Sequence, residues 1–271
     1  MAQRRKAGRK ARLAGEGDRL LLDGMHPVLE ALRAKRRPIH SLRVRADRRG
    51  PEIEELRGLA AAAGIPVVEA APLATGGAAN DQGVQLEVGP LPEVLLEDLV
   101  GAGPSPRTLV ALDGVEDPRN VGAIARAADG AGVAGLILTA RRAPPLGAAM
   151  ARASAGAIEW LPVARVGNLA RALDLLKREG YWVFGAQHRD ATELHEVPER
   201  WLQGDRVLIL GSEGKGLRSG VASRVDYWVR IPMHGAIESL NVGSAAAVLL
   251  YEFSRRSLAS ARAVPLTSPR D

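Results

Sequence analysis

Two spacings of apolar residues alternate along this chain. Val28, Leu29 and Leu32 share one face of a helix predicted over His26 to Ala34, and a second helix is predicted from Glu52 to Ala63, closed by Gly64. Around them, short apolar runs read as strands at Leu20 to Asp23, Ile39 to Val44, Pro66 to Glu69 and Val84 to Val88. The second half continues the alternation. Strands are expected at Thr108 to Leu112, Gly135 to Thr139, Ile158 to Val163, Tyr181 to Ala186, Arg206 to Leu210 and Asp226 to Ile231. Helices are expected at Asn120 to Gly130, Gly147 to Ser154 and, strongly amphipathic, Asn168 to Glu179. A last helix, Asn241 to Ser257, is rich in Ala, Val and Leu on nearly every side until Arg255 and Arg256. A helix apolar all round must be buried, here against a sheet and against a second subunit. The pattern predicts an α/β protein whose second half is a mostly parallel sheet covered on both faces.

Proline and glycine mark the division. Gly89-Pro90-Leu91-Pro92 and the stretch 101–106 flank a short helical piece, Glu93 to Val100. The chain divides into a basic arm (1–19), a small α/β domain (20–89), a linker (90–107), a larger α/β domain (108–258) and a tail (259–271). Hydrophobic content of 46% and charged content of 25% are those of a water-soluble protein, and no apolar run approaches the length of a membrane span. The basic N-terminus has no apolar stretch behind it, so no secretory signal is expected and a cytoplasmic location is. The absence of cysteine removes disulfides, thiolate metal sites and cysteine nucleophiles. Arg4, Arg5, Lys6, Arg9, Lys10 and Arg12 give residues 1–12 a charge equal to the net +6 of the whole chain, which suits a phosphate backbone. A second basic group, Arg33 to Arg49, fits either a solvated face or an RNA contact.

Three loops that follow strands carry candidate chemistry, and each combines glycine with specific polar residues. The first, after Asp117-Pro118, contains Asn120, Gly122 and Arg126 at a helix start. The second is Leu210-Gly211-Ser212-Glu213-Gly214-Lys215-Gly216, which has neither the Walker A spacing nor the dinucleotide glycine fingerprint. The third runs from Arg230 through Ile231, Met233, Ser239, Leu240 and Asn241 to Ser244, between a strand end and the last helix, where open α/β folds place ligands. The five histidines show no metal spacing, and no nucleophile elbow is present, so a bound cosubstrate is more plausible than a protein nucleophile and no metal is expected.

Taken together, these loops resemble the three signature motifs of the SPOUT superfamily of RNA methyltransferases, and within it the SpoU (TrmH-type) ribose 2′-O-methyltransferases. The residues that carry the likeness are Asn120, Gly122 and Arg126, then Gly211 to Gly214, then Ser239 to Ser244, spread over 108–257. The segments Asp23 to Val28 and Asp81-Gln82-Gly83-Val84 resemble the L30e-like substrate-binding domain of many members, with Asp81 standing where histidine is expected. The resemblance implies a deep trefoil knot in the second domain, a homodimer and S-adenosylmethionine as cosubstrate. It also implies RNA as substrate, with a guanosine of 23S ribosomal RNA as the nucleotide to which the two-domain layout points. A tRNA ribose 2′-O-methyltransferase and a non-catalytic dimeric RNA-binding protein are the alternatives. By the same resemblance Asn120, Arg126, Glu213, Ser239 and Asn241 serve catalysis, and Gly185, Leu210, Gly211, Ile231, Met233, Leu240, Asn241 and Ser244 bind the cosubstrate.

Overall fold

The computed structural model describes residues 19–70, 82–101, 103, 105–212 and 214–263, with the side chains of 70 and 258–263 left aside. Residues 1–18 of the basic arm, Asp81 and Glu213 lie outside the described residues.

The first domain holds a four-stranded sheet built from β1 (Leu20–Asp23), β2 (Ile39–Arg45), β3 (Val67–Ala70) and β4 (Val84–Val88), in the order β1-β4-β2-β3. Only β2 and β3 run parallel. Helix α1 (Met25–Ala34) buries Met25, Val28, Ala31 and Leu32, and α2 (Pro51–Ala62), begun by a proline whose missing N–H costs nothing there, buries Ile53, Leu56 and Ala60.

The second domain is a seven-stranded sheet, parallel at every pairing, in the order β7-β6-β5-β10-β8-β11-β9. Its strands are β5 (Thr108–Asp113), β6 (Gly135–Thr139), β7 (Val163–Val166), β8 (Trp182–Ala186), β9 (Thr192–Glu193), β10 (Arg206–Gly211) and β11 (Tyr227–Arg230). Side chains alternate across it, as the two-residue period requires. Val110, Leu112, Leu208 and Leu210 pack beneath α4 (Pro118–Gly130) and α8 (Val242–Ala263), while Leu109, Ala111, Val207 and Ile209 meet α6 (Leu169–Arg178) on the opposite face. The chain leaves β5 toward β6 and β7, then returns to place β10 on the other side of β5. The crevice between the ends of β5 and β10 is therefore a topological switch point.

Several expectations need correction. Residues 158–162 form no strand: a 3-10 turn spans Ala157–Glu159 and β7 begins only at Val163, because Glu159 turns inward to a buried ion pair. The 90–107 stretch is no free tether. Leu91, Leu96 and Leu99 are buried, Val94 bridges to Ala164, and only Leu96–Leu99 is helical (α3). Helix α8 starts one residue after Asn241 and runs on to Ala263, and it is not buried all round: Val248 is 42% and Tyr251 54% exposed in the single chain.

The basic group of the first domain is neither a solvated face nor an RNA surface throughout. Arg37 forms a fully buried ion pair with Glu159 at 2.9 Å, close in distance without the alignment of a hydrogen bond. Burial pushes the Glu159 carboxyl up and the Arg37 guanidinium down, each opposed by the partner's charge. Beside this pair Arg36 donates to the carbonyls of Leu161 (2.7 Å) and Glu159 (3.2 Å), Trp160 Nε1 donates to Glu30 (2.8 Å), and Arg152 of α5 (Ala148–Ala153) pairs with the buried Asp23. These contacts join the first domain to the second.

Two further ties brace the base of the large sheet. Asp205 accepts from Ser105 Oγ (2.8 Å), the Arg107 backbone N–H (2.8 Å) and Arg107 Nε (2.9 Å). Burial pushes its carboxyl up, but these hydrogen bonds outweigh that and hold it below the usual range. Arg206 is buried without a carboxylate bonded to it. It donates to Thr108 Oγ1 (2.9 Å), the Leu202 carbonyl and Ser257 Oγ (2.5 Å), lies over the Phe253 ring, and is pushed down by burial to about 10. It stays charged at neutral pH and clamps the far end of α8 to the sheet.

Candidate active site

The three loops picked out by the sequence meet at the C-terminal ends of the central parallel strands. Asp117 caps α4 by accepting from the Arg119 N–H at 2.8 Å, and Pro118 occupies the first helical position. One turn in, Asn120 Oδ1 accepts from Asn241 Nδ2 at 2.9 Å, so the first and third loops are directly bonded across 121 residues of sequence. Asn241 Oδ1 accepts from the Gly243 N–H at 2.9 Å and so caps α8. One side chain therefore starts a helix and holds Asn120 in place.

Glycine is required where these elements press together. A Cβ on Gly122 would stand 2.4 Å from that of Ala153, and one on Gly211 would stand 2.5 Å from the backbone of Gly216. The second loop thus folds back tightly on the end of β10, with the Gly216 N–H donating to the Ser212 carbonyl at 3.0 Å.

A contact that sequence reasoning missed fixes this loop. Asp113, at the last position of β5 with its side chain fully buried, accepts from the Arg218 backbone N–H (2.8 Å) and Nε (2.7 Å). The signal available was an acidic residue ending an otherwise apolar strand; its partner, 105 residues away, had none. Asp113, Gly114, Ser212, Lys215 and Arg218 line a cavity of about 330 Å³ at the switch point.

Not every expected residue converges. Arg126 and Asn120 are six residues apart, which is about 9 Å along the axis and about 120° around it. Arg126 is exposed and, among the described residues, makes no ion pair, neither the surface one that a lone arginine suggests nor a contact with Asn120 or Asn241. It lies one turn before Gly130, which abuts the Tyr251 hydroxyl, so Arg126 belongs to the open face shared by α4 and α8. Ser239 is exposed and caps nothing among the described residues; Asn241 alone performs that task. Leu210 points into the core and offers only its backbone, and Gly185, in β8, has the space above it filled by Trp228 and Val225. Ile231 and Met233 are half-buried, while Leu240 and Ser244 are exposed at the mouth of α8.

These features bear on whether the site suits a cosubstrate. Among the described residues, 232–240 form no helix or strand and no backbone hydrogen bond within the chain. A run of open N–H and C=O groups between a strand end and a helix mouth fits a ligand read mainly by main-chain contacts. The described residues also hold one group of potential metal ligands, Glu193, His195 and Glu196, but Glu193 is already engaged by Arg230.

Comparison with known proteins agrees with this geometry. The family model described as the SpoU rRNA Methylase family matches residues 107–251, more than half the chain. The chain belongs to the SpoU family. A second model, RNA 2′-O ribose methyltransferase substrate binding, matches 21–94. The 23S rRNA (guanosine-2′-O-)-methyltransferase RlmB of Pseudomonas aeruginosa is 36% identical over 238 residues, covering 86% of this chain and 95% of that protein. A putative TrmH family tRNA/rRNA methyltransferase of Staphylococcus haemolyticus is 43% identical over 149 residues, which span 55% of this chain and only 59% of the relative's length. Among solved structures, the AdoMet-bound rRNA methyltransferase of Sinorhizobium meliloti superposes with a TM-score of 0.72 at 27% identity, covering 88% of this chain and 87% of the other. Both the methylase fold of this SpoU member and its preceding small domain thus have counterparts in solved relatives. No helix among the described residues is long and apolar enough to cross a membrane.

Proposed function

We propose that this SpoU-family protein transfers the methyl group of S-adenosylmethionine to the 2′-hydroxyl of a ribose in RNA, with a guanosine of 23S ribosomal RNA as the target and the cytoplasm as its place of action. The observation that carries this reading is the bond between Asn120 and Asn241, which brings the first and third family motifs together. The substrate-binding domain and the RlmB relative, matched over nearly its whole length, favour ribosomal RNA over tRNA.

The cosubstrate supplies an already activated methyl on a sulfonium, so the chain needs no nucleophile of its own. Its tasks are to hold the ribose in line and to manage one proton. Positioning of this kind supplies up to about 7–11 kcal/mol. The open backbone of 232–240, with Ile231, Met233, Leu240 and Ser244 around it, and the main chain at Leu210 and Gly211 hold the cosubstrate, and Gly185 supports that floor through its packing. Asn120 orients the ribose. Arg126 is not a base, because a guanidinium keeps its proton; it stabilises the developing alkoxide or grips the adjoining phosphate, while a phosphate oxygen or water takes the proton. Glu213 fixes Arg126 or the hydroxyl, and Ser239 shapes the methyl-donor end.

The protein acts as a homodimer with the trefoil-knotted fold of its superfamily. The exposed Val248 and Tyr251 on α8 support the dimer, since this apolar face has no cover in the single chain. A second copy seated there places Arg126 at the interface. Transfer of labelled methyl from S-adenosylmethionine to 23S RNA tests the reading. Arg126→Ala should lower turnover by about 10²–10³-fold while cosubstrate affinity measured by calorimetry stays within a few-fold. A variant with near-normal turnover removes Arg126 from the mechanism.

A further inference from the structure

A second cavity, of about 490 Å³, adjoins the one at the switch point and shares Arg142 and Arg218 with it. It lies between the loop after β6, the start of α6 and the segment 218–221. Three guanidinium groups, those of Arg141, Arg142 and Arg218, line it, and no carboxylate does. The inner cavity is more balanced, because Asp113 and Glu116 offset Arg142, Lys215 and Arg218 there. Positive charge therefore rises outward along one continuous trough.

Arg218 is tied to Asp113, but the other two arginines are not employed in the architecture. Arg141 and Arg142 are exposed, and among the described residues neither side chain has a bonded partner. Arg142 holds a left-handed backbone, φ 71°, which is unusual for a residue with a side chain and recurs at ligand-binding positions. The Thr139 hydroxyl donates to the Arg141 carbonyl at 2.6 Å and so steadies the strained loop. On the opposite wall Asn168 caps α6, a ten-residue helix, by accepting from the Arg171 N–H at 3.1 Å. The first two backbone N–H groups, those of Leu169 and Ala170, stay without a helical acceptor, and both residues line the cavity.

We infer that this trough carries the phosphodiester backbone of the RNA strand leading into the methylation site, held by Arg141 and Arg142 and by the amino end of α6. The inference rests on the proposed RNA methyltransferase activity. Cations strung along a trough, rather than gathered on one point, suit successive phosphates better than a single carboxylate or a free phosphate.

The test compares wild-type protein with Arg141→Gln, Arg142→Gln and, as an equal charge change at the far end of α6, Arg178→Gln. A fluorescent mixed-sequence RNA oligonucleotide is titrated at several salt concentrations, and S-adenosylmethionine binding is followed by calorimetry. The trough variants should bind RNA roughly 5–10-fold more weakly, with a log–log salt slope shallower by about 0.7, and their cosubstrate affinity should be unchanged. Arg178→Gln should change RNA affinity by less than about twofold. Trough variants that behave like Arg178→Gln overturn the inference, and so does a loss confined to S-adenosylmethionine binding, which would assign these cations to the cosubstrate. If wild-type protein shows no salt-dependent RNA binding, the RNA reading fails and takes the trough with it. Wild-type binding beside unaltered trough variants removes the trough alone.

Discussion

The seam between the two domains and the C-terminal rim of the large sheet are both rich in arginine, and they use it in opposite ways. At the seam Arg36, Arg37 and Arg152 are committed to carbonyls and carboxylates of the neighbouring domain, and the Arg37–Glu159 pair is shut away from water. Along the rim Arg141, Arg142 and Lys215 stand exposed with no carboxylate bonded to them among the described residues. A guanidinium that already has its partner holds architecture together, and one left open at a strand end is available to a ligand. The side-chain chemistry is the same in both places; what differs is whether folding has already satisfied it.

The contrast can be broken most severely at the seam. Arg37→Ala leaves the Glu159 carboxylate buried and uncompensated, and should cost about 3–5 kcal/mol in denaturant unfolding. Replacing both residues by apolar ones, Arg37→Met with Glu159→Leu, should recover most of that loss. A single variant as stable as wild type would mean that the seam opens to water.

The Asp205 tie is expected to matter less and to depend on pH. Because the folded carboxyl is held below its ordinary value, its contribution is fully present above the usual carboxylate range and fades as pH falls through the lower, folded value. Asp205→Asn should therefore lower stability by about 1–2 kcal/mol at neutral pH and flatten the acid limb of the stability profile. An acid limb identical to that of wild type would show that Asp205 contributes nothing there.

Asn241→Asp sharpens the contrast inside the site. The new carboxylate still accepts from the Gly243 N–H but cannot donate to Asn120, so unfolding should change by only about 0.5–1 kcal/mol while methyl transfer falls. Equal losses in stability and rate would mean that the cap, and not the orientation of Asn120, is what matters. Smallest of all, Arg126→Ala should alter stability by no more than about 0.5 kcal/mol, because no partner among the described residues is lost; a larger drop in melting temperature would place Arg126 among the structural arginines.

Much of this was legible along the chain, for reasons visible in particular residues. Pro118 and Asn120 announce the start of α4, the unbroken apolar run from Leu109 to Leu112 foretells a strand covered on both faces, and the three glycine-polar loops fall at strand ends as their composition suggests. What stayed hidden depends on distant pairing. Arg37 sits in a basic run that looks solvated, and only the packed fold supplies Glu159. The stretch from Ile158 to Val163 has the composition of a strand, but inward-turned Glu159 draws it into a 3-10 turn. Asp113 and Arg218 are joined by the insertion of β10 beside β5, which no local pattern records. The last helix is apolar on nearly every side in the sequence, yet the single chain buries only part of it and leaves Val248 and Tyr251 exposed.

The buried pair at the seam also constrains how such modules are exchanged. Arg37 lies in one domain and Glu159 in the other, so neither half is self-sufficient in charge once the two are pressed together. A chimera that grafts a foreign substrate-binding domain onto this methylase inherits a lone acid in a dry joint unless the graft brings its own matching base. The two positions behave as a lock and its key, and recombination that keeps one while replacing the other is penalised before any RNA is met.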